Sequence, residues 1–366
     1  MIRVDESIAE AAVLGGAFYG GGGGGDLYTG LKYAKLAVEL GDVMILNIDD
    51  VLNNRDNYIV TSSIIGAPSA KEKYVLPSHI IRSAQLLLDV AEVPIGGFIT
   101  SENGGLSTVN GWIPAAVFDV PVIDAPADGR AHPTGVMGSM GLHKVEDYIS
   151  IQTAVGGDKN LNRYIEIIVR GSLQSVDKII REASVQAGGM VAVSRNPLTP
   201  EFVKKNAAVG ALTEAIEVGK IFQKYKKDVE KISEEITKLI DGKTVDRGLV
   251  EHVLLESRGG YDIGKVIVKG KLDKYEITFW NEYMTLEDSK NRRLATFPDL
   301  IVTLDCNSGL PVSSAEIHIN HEVLILMVPK EKIRLGEGVK DIKILQEVEE
   351  IINKEIIKFT NTSQIL

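Results

Sequence analysis

Asp128, Arg130 and His132 alternate within the run Val122-Ile123-Asp124-Ala125-Pro126-Ala127-Asp128-Gly129-Arg130-Ala131-His132-Pro133. In an extended chain, alternate side chains share a side. The spacing would therefore point a carboxylate, a guanidinium and an imidazole the same way. Pro133 biases His132 towards that extended conformation. Together such groups can bind a polar ring, activate water and protonate a leaving group. The competing reading is an ion-paired loop between strand and helix. Asp124 ends the apolar stretch, where ligands of open α/β sheets collect, and is a candidate ligand-binding residue for that reason.

Two further carboxylates follow apolar stretches: Glu102 in Ser101-Glu102-Asn103-Gly104-Gly105, and Glu72 shortly after Gly66-Ala67-Pro68. Each alone reads first as a solvated or capping group. Towards the C-terminus, Trp280-Asn281-Glu282 and Phe297-Pro298-Asp299 set polar groups beside aromatic ones. The six glycines Gly20 to Gly25, ending in Asp26, form a run costly in backbone entropy. Close approach of the backbone to a ligand would justify it, with Gly22, Gly23, Gly24, Gly25 and Asp26 as candidate contacts, and so would close helix packing. A dinucleotide or phosphate loop fits less well, because the preceding segment reads as a helix and no lysine follows.

A divalent metal is left open only by His132 with Asp124 or Asp128; no other cofactor is indicated. His318 and His321 read as part of a strand spanning 316–328, where residues three apart face opposite sides and cannot easily share an ion. The single cysteine, Cys306, excludes an intramolecular disulfide and reads as a strand-end residue. No Gly-x-Ser-x-Gly elbow is present.

The elements that must position these residues follow from periodicity. Residues 6–14 read as a helix. Asp26 caps a second one whose face is Leu27, Leu31, Ala34 and Val38, with Gly41 as its stop. Strands are expected over 43–48, 59–65, 95–100 and 120–125, and a helix over 77–91 capped by Ser78. Two strands, 147–155 and 163–170, flank a hairpin signal at Gly156-Gly157-Asp158. A helix at 174–186, a strand at 189–194 and a long helical region from Pro200 to about 240 complete an α/β domain over 1–242 with a mixed or parallel sheet covered by helices. From 243 the pattern changes to short strands and turns, giving a smaller β-rich domain over 243–366 that ends in a helix at 341–358.

A net charge of −10 argues against a nucleic-acid surface. No apolar run approaches a bilayer span, and the acidic N-terminus lacks the pattern of a secretory signal. A cytoplasmic protein acting on a small molecule, without membrane contact, is expected, and a homo-oligomer is the default assembly.

In order and spacing these segments resemble the S-methyl-thiohydantoin desulfurase-like family over roughly residues 8–330. The resemblance rests on Leu14-Gly15 with Gly20 to Asp26, Gly66-Ala67-Pro68 with Glu72-Lys73, Glu102 with Gly104-Gly105, and Pro121-Val122-Ile123-Asp124 with Gly129-Arg130-Ala131. It continues through Gly210, Ala215-Ile216, Gly219, Asn281-Glu282, Pro298-Asp299-Leu300-Ile301 and Gly309-Leu310-Pro311. It implies release of methanethiol from an S-methylated thiohydantoin, and hydantoinase-type enzymes as partners. The chain departs from the family pattern at Pro126, where a second Asp is usual, and at His132, where an aromatic is usual. The chemistry expected is hydrolysis of a hydantoin-like ring. Asp128 or Glu102 would activate water, His132 would protonate the leaving group, and Arg130 or the glycine loop would hold the oxyanion. Asn281 and Glu282 would reach the same cleft from the β-rich region. The alternatives are a non-catalytic binding or accessory subunit and a nucleotide-binding protein.

Overall fold

The computed structural model describes residues 1–52 and 57–360. The first part of the chain builds β1 (Ile2–Arg3), α1 (Glu6–Tyr19), α2 (Leu27–Leu40), β2 (Met44–Leu46), α3 (Ile48–Val51), β3 (Tyr58–Gly66), α4 (Pro77–Ala91) and β4 (Ile95–Thr100). It continues with α5 (Trp112–Phe118), β5 (Val122–Ile123), β6 (Ser150–Gly156), β7 (Ile165–Gly171), α6 (Leu173–Gln186) and β8 (Met190–Leu198). Helices α7 (Pro200–Asn206), α8 (Ala211–Tyr225) and α9 (Val229–Ile240) lead into β9 (Lys243–Arg258), β10 (Tyr261–Gly270), β11 (Lys274–Trp280) and β12 (Glu282–Glu287). Then come β13 (Arg293–Thr296), β14 (Leu300–Asp305), β15 (Glu322–Val328), α10 (Ile342–Ile352) and α11 (Ile357–Thr360).

Two sheets organise the described residues. The first has the order β1-β2-β5-β4-β3-β8-β6-β7. Its inner strands β2, β5, β4 and β3 run parallel, while β8, β6 and β7 continue antiparallel. The sheet is therefore mixed, with helices against it. The second is antiparallel, ordered β13-β12-β11-β10-β9-β15-β14. It curls, so that the Tyr283 hydroxyl on β12 meets the Thr303 hydroxyl on β14 at 3.0 Å.

Local sequence explains most boundaries. Asp26 caps α2 by accepting the Thr29 N–H at 2.7 Å, and Gly41 ends that helix. In α4 the apolar face Ile80, Ala84 and Leu87 is buried. The cap there is Leu76, not Ser78, because Pro77 lacks an N–H and takes the first helical position. The link between β6 and β7 is longer than the glycine pair suggests and holds a short 3₁₀ turn at Lys159–Leu161.

One strand expectation is corrected. β15 begins only at Glu322. Residues before it turn, with Glu316 and Ile317 N–H both donating to the Ser313 carbonyl and Asn320 at φ 68°. His318 and His321 therefore do not alternate across a strand. Their rings stack 4.4 Å apart at 13°, and His321 Nε2 lies 2.6 Å from Asp305 Oδ2.

The two sheets are joined through the glycine run. Gly21 and Gly22 carbonyls accept the N–H groups of Tyr283 and Ser314, each at 2.7 Å, while the Gly24 carbonyl accepts those of Leu106 and Ser107.

Candidate active site

β4 and the chain after β5 leave the first sheet side by side. Ala127 N–H donates to Thr100 O at 2.9 Å and Asp128 N–H to Ser101 O at 3.0 Å, so Glu102 and Asp128 form an isolated parallel bridge. That pairing carries the following residues back along the strand end and sets His132 against Glu102. Glu102 Oε2 accepts the backbone N–H of His132 at 3.1 Å, and Oε1 accepts the Ser107 hydroxyl at 2.9 Å. The imidazole Nδ1 stands 3.4 Å from Glu102 Oε2, and Nε2 lies 3.4 Å from the Ser101 carbonyl.

Glu102 and His132 line a polar cavity of about 50 Å³ together with Gly24, Gly25, Ser107, Thr134, Arg181, Arg195, Asn281 and Glu282. By the same measure a water needs roughly 10–15 Å³, so the cavity has room for a few waters or the edge of a ring. Burial pushes the Glu102 carboxyl up to about 7, against the opposing pull of the His132 N–H, Ser107 and Arg195. It also drives the His132 ring down to about 3, aided by Arg195, so the imidazole is neutral. Glu282 is raised well above the usual carboxylate range, by burial first and then by Glu102. One of its oxygens has no partner, and a Gly24 backbone hydrogen bond holds the carboxyl. Two carboxyls in one buried pocket disfavour double ionisation.

Arg195, on β8 between β3 and β6, supplies one of the cavity's two guanidinium groups, the other being Arg181. It is 2% exposed, its Nε has no partner, and Nη1 reaches only the Gly135 carbonyl at 3.5 Å. Asp177 is its chief opposing charge. A buried, under-satisfied guanidinium facing a cavity is suited to an anion or a developing oxyanion. The sequence reading did not pick out Arg195 or Ser107. An arginine inside the run Met190-Val191-Ala192-Val193-Ser194-Arg195 was the available signal, since charge in a buried strand is costly.

The other anticipated residues divide. The alternation of Asp128, Arg130 and His132 does not place them on one side, because the segment bends around Gly129 and does not form a strand. Asp128 lies outside the cavity lining. Its Oδ1 accepts the N–H groups of Gly129 and Gly336, both at 2.9 Å, and burial raises its carboxyl to about 8. Arg130 is fully buried behind the site. It donates to the carbonyls of Ala131, Pro298 and Asp299 and sits 4.6 Å from the Phe297 ring centre, with no carboxylate among the described residues in salt-bridge contact. Carbonyl oxygens and an aromatic face thus satisfy the cation where an ion pair was expected.

Asp124 caps α8 through Leu212 and Thr213 and is absent from the cavity lining. Glu72 pairs with Arg163 at the surface. Asp26 is engaged as the α2 cap, which occupies the helix N-terminus that a phosphate would use. Asp299 accepts the N–H groups of Thr296 and Lys330. From the second sheet, Asn281 at φ 55° exchanges hydrogen bonds with Asp262 and turns the chain so that Glu282 enters the cavity.

Glycine is required where these loops cross. A Cβ on Gly24, at φ 74°, would overlap Gly104, and one on Gly23 would overlap the Glu282 carboxyl. The glycine run therefore serves close packing along its length while Gly24 and Gly25 also face the cavity. Among the described residues no group of three or more His, Cys, Asp or Glu side chains is placed to hold a metal ion, and no helix is long and apolar enough to cross a membrane.

The fold is similar to the crystal structure of a protein from Chromobacterium violaceum, with a TM-score of 0.71, 20% identity and 96% of each chain covered. At that identity the likeness is one of fold. No curated protein matches the chain. The S-Me-THD-like N-terminal domain matches residues 9–164 and the S-Me-THD-like C-terminal domain residues 171–340, and the chain belongs to the S-Me-THD-like family.

Proposed function

We propose that the protein hydrolyses the S-methyl group from a thiohydantoin-like ring, releasing methanethiol. The observation that carries the reading is the facing of Glu102, held by His132 and Ser107, and Arg195 across one buried cavity that Glu282 also enters. Near neutrality Glu102 exists partly as carboxylate, so it serves as the base, while Glu282 keeps its proton and serves as the acid. His132 is too weakly basic to act as an imidazolium donor. It orients Glu102 instead, replacing the acid role anticipated for it.

In the reaction, Glu102 takes a proton from water as the water oxygen bonds to the ring carbon bearing sulfur. Arg195 stabilises negative charge on the ring nitrogen as the carbon becomes tetrahedral. The C–S bond then breaks, and sulfur leaves as methanethiol with the proton of Glu282. The ring keeps the hydroxyl, which tautomerises to the carbonyl of a hydantoin. The proton on Glu102 passes to Glu282 and restores both groups.

Incubating the protein with an S-methyl-thiohydantoin and following free thiol with a colorimetric reagent tests this reading. Release of thiol, lost in Glu102→Gln, is expected. Absence of turnover on S-methyl-thiohydantoins, hydantoins and oxoproline alike overturns it.

A further inference from the structure

β7 ends the first sheet and pairs with β6 on one side only. It is seven residues long, and its register with β6 runs from Ser150 opposite Gly171 to Gly156 opposite Ile165 without a shift. Among the described residues no backbone hydrogen bond other than those to β6 reaches it. Such an edge leaves a row of N–H and C=O groups ready to pair with another strand, and folded proteins usually blunt it by brevity, a proline, a bulge or a covering segment. The other three edges are treated in that way. β1 has two residues. β13 has four and meets the C-terminal segment, where Arg293 donates to the Glu355 carbonyl. β14 is met by the chain that follows it, with Val312 N–H on the Thr303 carbonyl and Asp305 N–H on the Leu310 carbonyl. β7, Ile-Glu-Ile-Ile-Val-Arg-Gly, is long, unbulged and free of proline.

The side chains of β7 indicate what pairs with it. Alternate residues Glu166, Ile168 and Arg170 are exposed, Ile168 at 46%. That row reads acid, apolar, base, centred on Ile168. A second copy related by a twofold axis through Ile168 runs antiparallel. It sets Glu166 of each copy opposite Arg170 of the partner subunit and Ile168 opposite itself. Opposite charges facing across a strand pair stabilise it, and like charges do the reverse. A parallel copy in register would put Glu166 on Glu166 and Arg170 on Arg170, so the charge order selects the antiparallel arrangement. Glu166 is held in place by Arg82 at 2.9 Å and the Tyr164 hydroxyl at 2.5 Å, while Arg170 makes no ion pair among the described residues. On the opposite face Ile165, Ile167 and Val169 are half-buried against Val176 and Ile180 of α6. The same axis brings Ile167 opposite Val169 of the partner subunit and extends that apolar cluster from one copy into the next.

We propose that the protein forms a homodimer by pairing β7 with β7 of a second copy, antiparallel about Ile168, which joins the two eight-stranded sheets into one continuous sheet. The interface is isologous, the same strand serving both copies. None of its seven residues lines the polar cavity, so assembly can be read apart from activity.

Light scattering on the full chain as it elutes from a sizing column should give about twice 39.7 kDa. Ile168→Lys brings two ammonium groups together at the axis, and Arg170→Glu sets a carboxylate against Glu166. Each changes an exposed side chain, and each should halve the mass while the circular dichroism spectrum stays that of the parent. Cysteine pairing reads the register in the unperturbed fold. In a Cys306→Ser background, Ile168→Cys should form an intermolecular disulfide under mild oxidation, because facing Cα atoms lie about 4.5–5.5 Å apart, within the roughly 4.4–6.8 Å that a disulfide spans. Arg170→Cys should not, because the two copies of that position are offset by four residues, about 14 Å along the strands. A monomeric parent, an assembly whose mass both charge variants leave unchanged, or crosslinking at 170 in place of 168 overturns the proposal.

Discussion

Glu102 Oε2 accepts the backbone N–H of His132 at 3.1 Å while the ring Nδ1 of the same histidine stands 3.4 Å from that oxygen. The main-chain N–H holds the carboxylate, while the nearby ring Nδ1 makes no hydrogen bond. With His132 neutral, that hold fixes geometry without neutralising charge. Glu102→Gln keeps the shape and the hydrogen bond to Ser107 but removes the base. Its kcat should fall by about 10²-fold or more, with the melting temperature little changed or raised. Thiol release and a thermal melt on one preparation check both.

The pH profile should follow the same carboxyl. Glu102 must be ionised to act and its carboxyl is raised to about 7, so kcat/KM should climb as pH rises through about 7. Glu282 must keep its proton, and its carboxyl is also raised by burial, so the rate should fall again as Glu282 ionises. A flat profile between pH 5 and 9 would remove Glu102 from the base role.

Arg195 carries a desolvation cost with few bonds to offset it. Arg195→Met should lower the melting temperature, since removing one member of a buried charge cluster leaves the buried Asp177 with only Arg181 opposite it. Activity should drop by about 10²- to 10³-fold, the scale of losing one oxyanion donor. Steady-state kinetics beside a melt separates the two effects.

Asp128 gives a stability prediction independent of activity. Burial raises its carboxyl from 3.8 to about 8, so the folded protein binds this proton more tightly than the unfolded chain. The contribution is fully present below 3.8 and is lost as pH rises to about 8. Asp128→Asn can still accept the Gly129 and Gly336 N–H groups and never ionises. It should gain on the parent steadily from about pH 4 to about pH 8 and level off above that, as measured by denaturant titration across that range.

The glycine crossing can be probed at two neighbours with different outcomes. Gly24→Ala meets Gly104 backbone at a positive φ and should destabilise the fold by more than about 1 kcal/mol. Gly23→Ala meets the Glu282 carboxyl instead, at a φ that alanine tolerates. It should displace the acid and cost activity out of proportion to stability. Equal stability losses in both variants, with activity retained in Gly23→Ala, would separate Glu282 from the chemistry.

Periodicity and caps carry information that acts within a few residues, and those features were legible in the sequence. The buried stripe of α4, the Asp26 cap, the runs that became β3 and β4, and the switch to strands after α9 all followed from spacing. The placing of Glu102, His132, Gly24, Gly25, Asn281 and Glu282 on one cavity also agrees with reading strand ends and the glycine run as a convergent set. Local pattern misled where one turn residue changes everything downstream. The bend at Gly129 broke the alternation of Asp128, Arg130 and His132, and Asn320 in the left-handed region brought His318 and His321 face to face.

The family pattern and the residue types that can do chemistry were determined by the sequence alone. Which of them do face one another was decided by the tertiary structure. Arg195 lies far along the chain from Glu102, and only the insertion of β8 between β3 and β6 brings it to the cavity. Asp124 and Asp128 looked equal to Glu102 by position, but backbone N–H groups from α8 and from Gly336 claim their oxygens. A carboxylate's role depends on what desolvates it and what bonds it, and both are set by segments distant in sequence that only folding assembles.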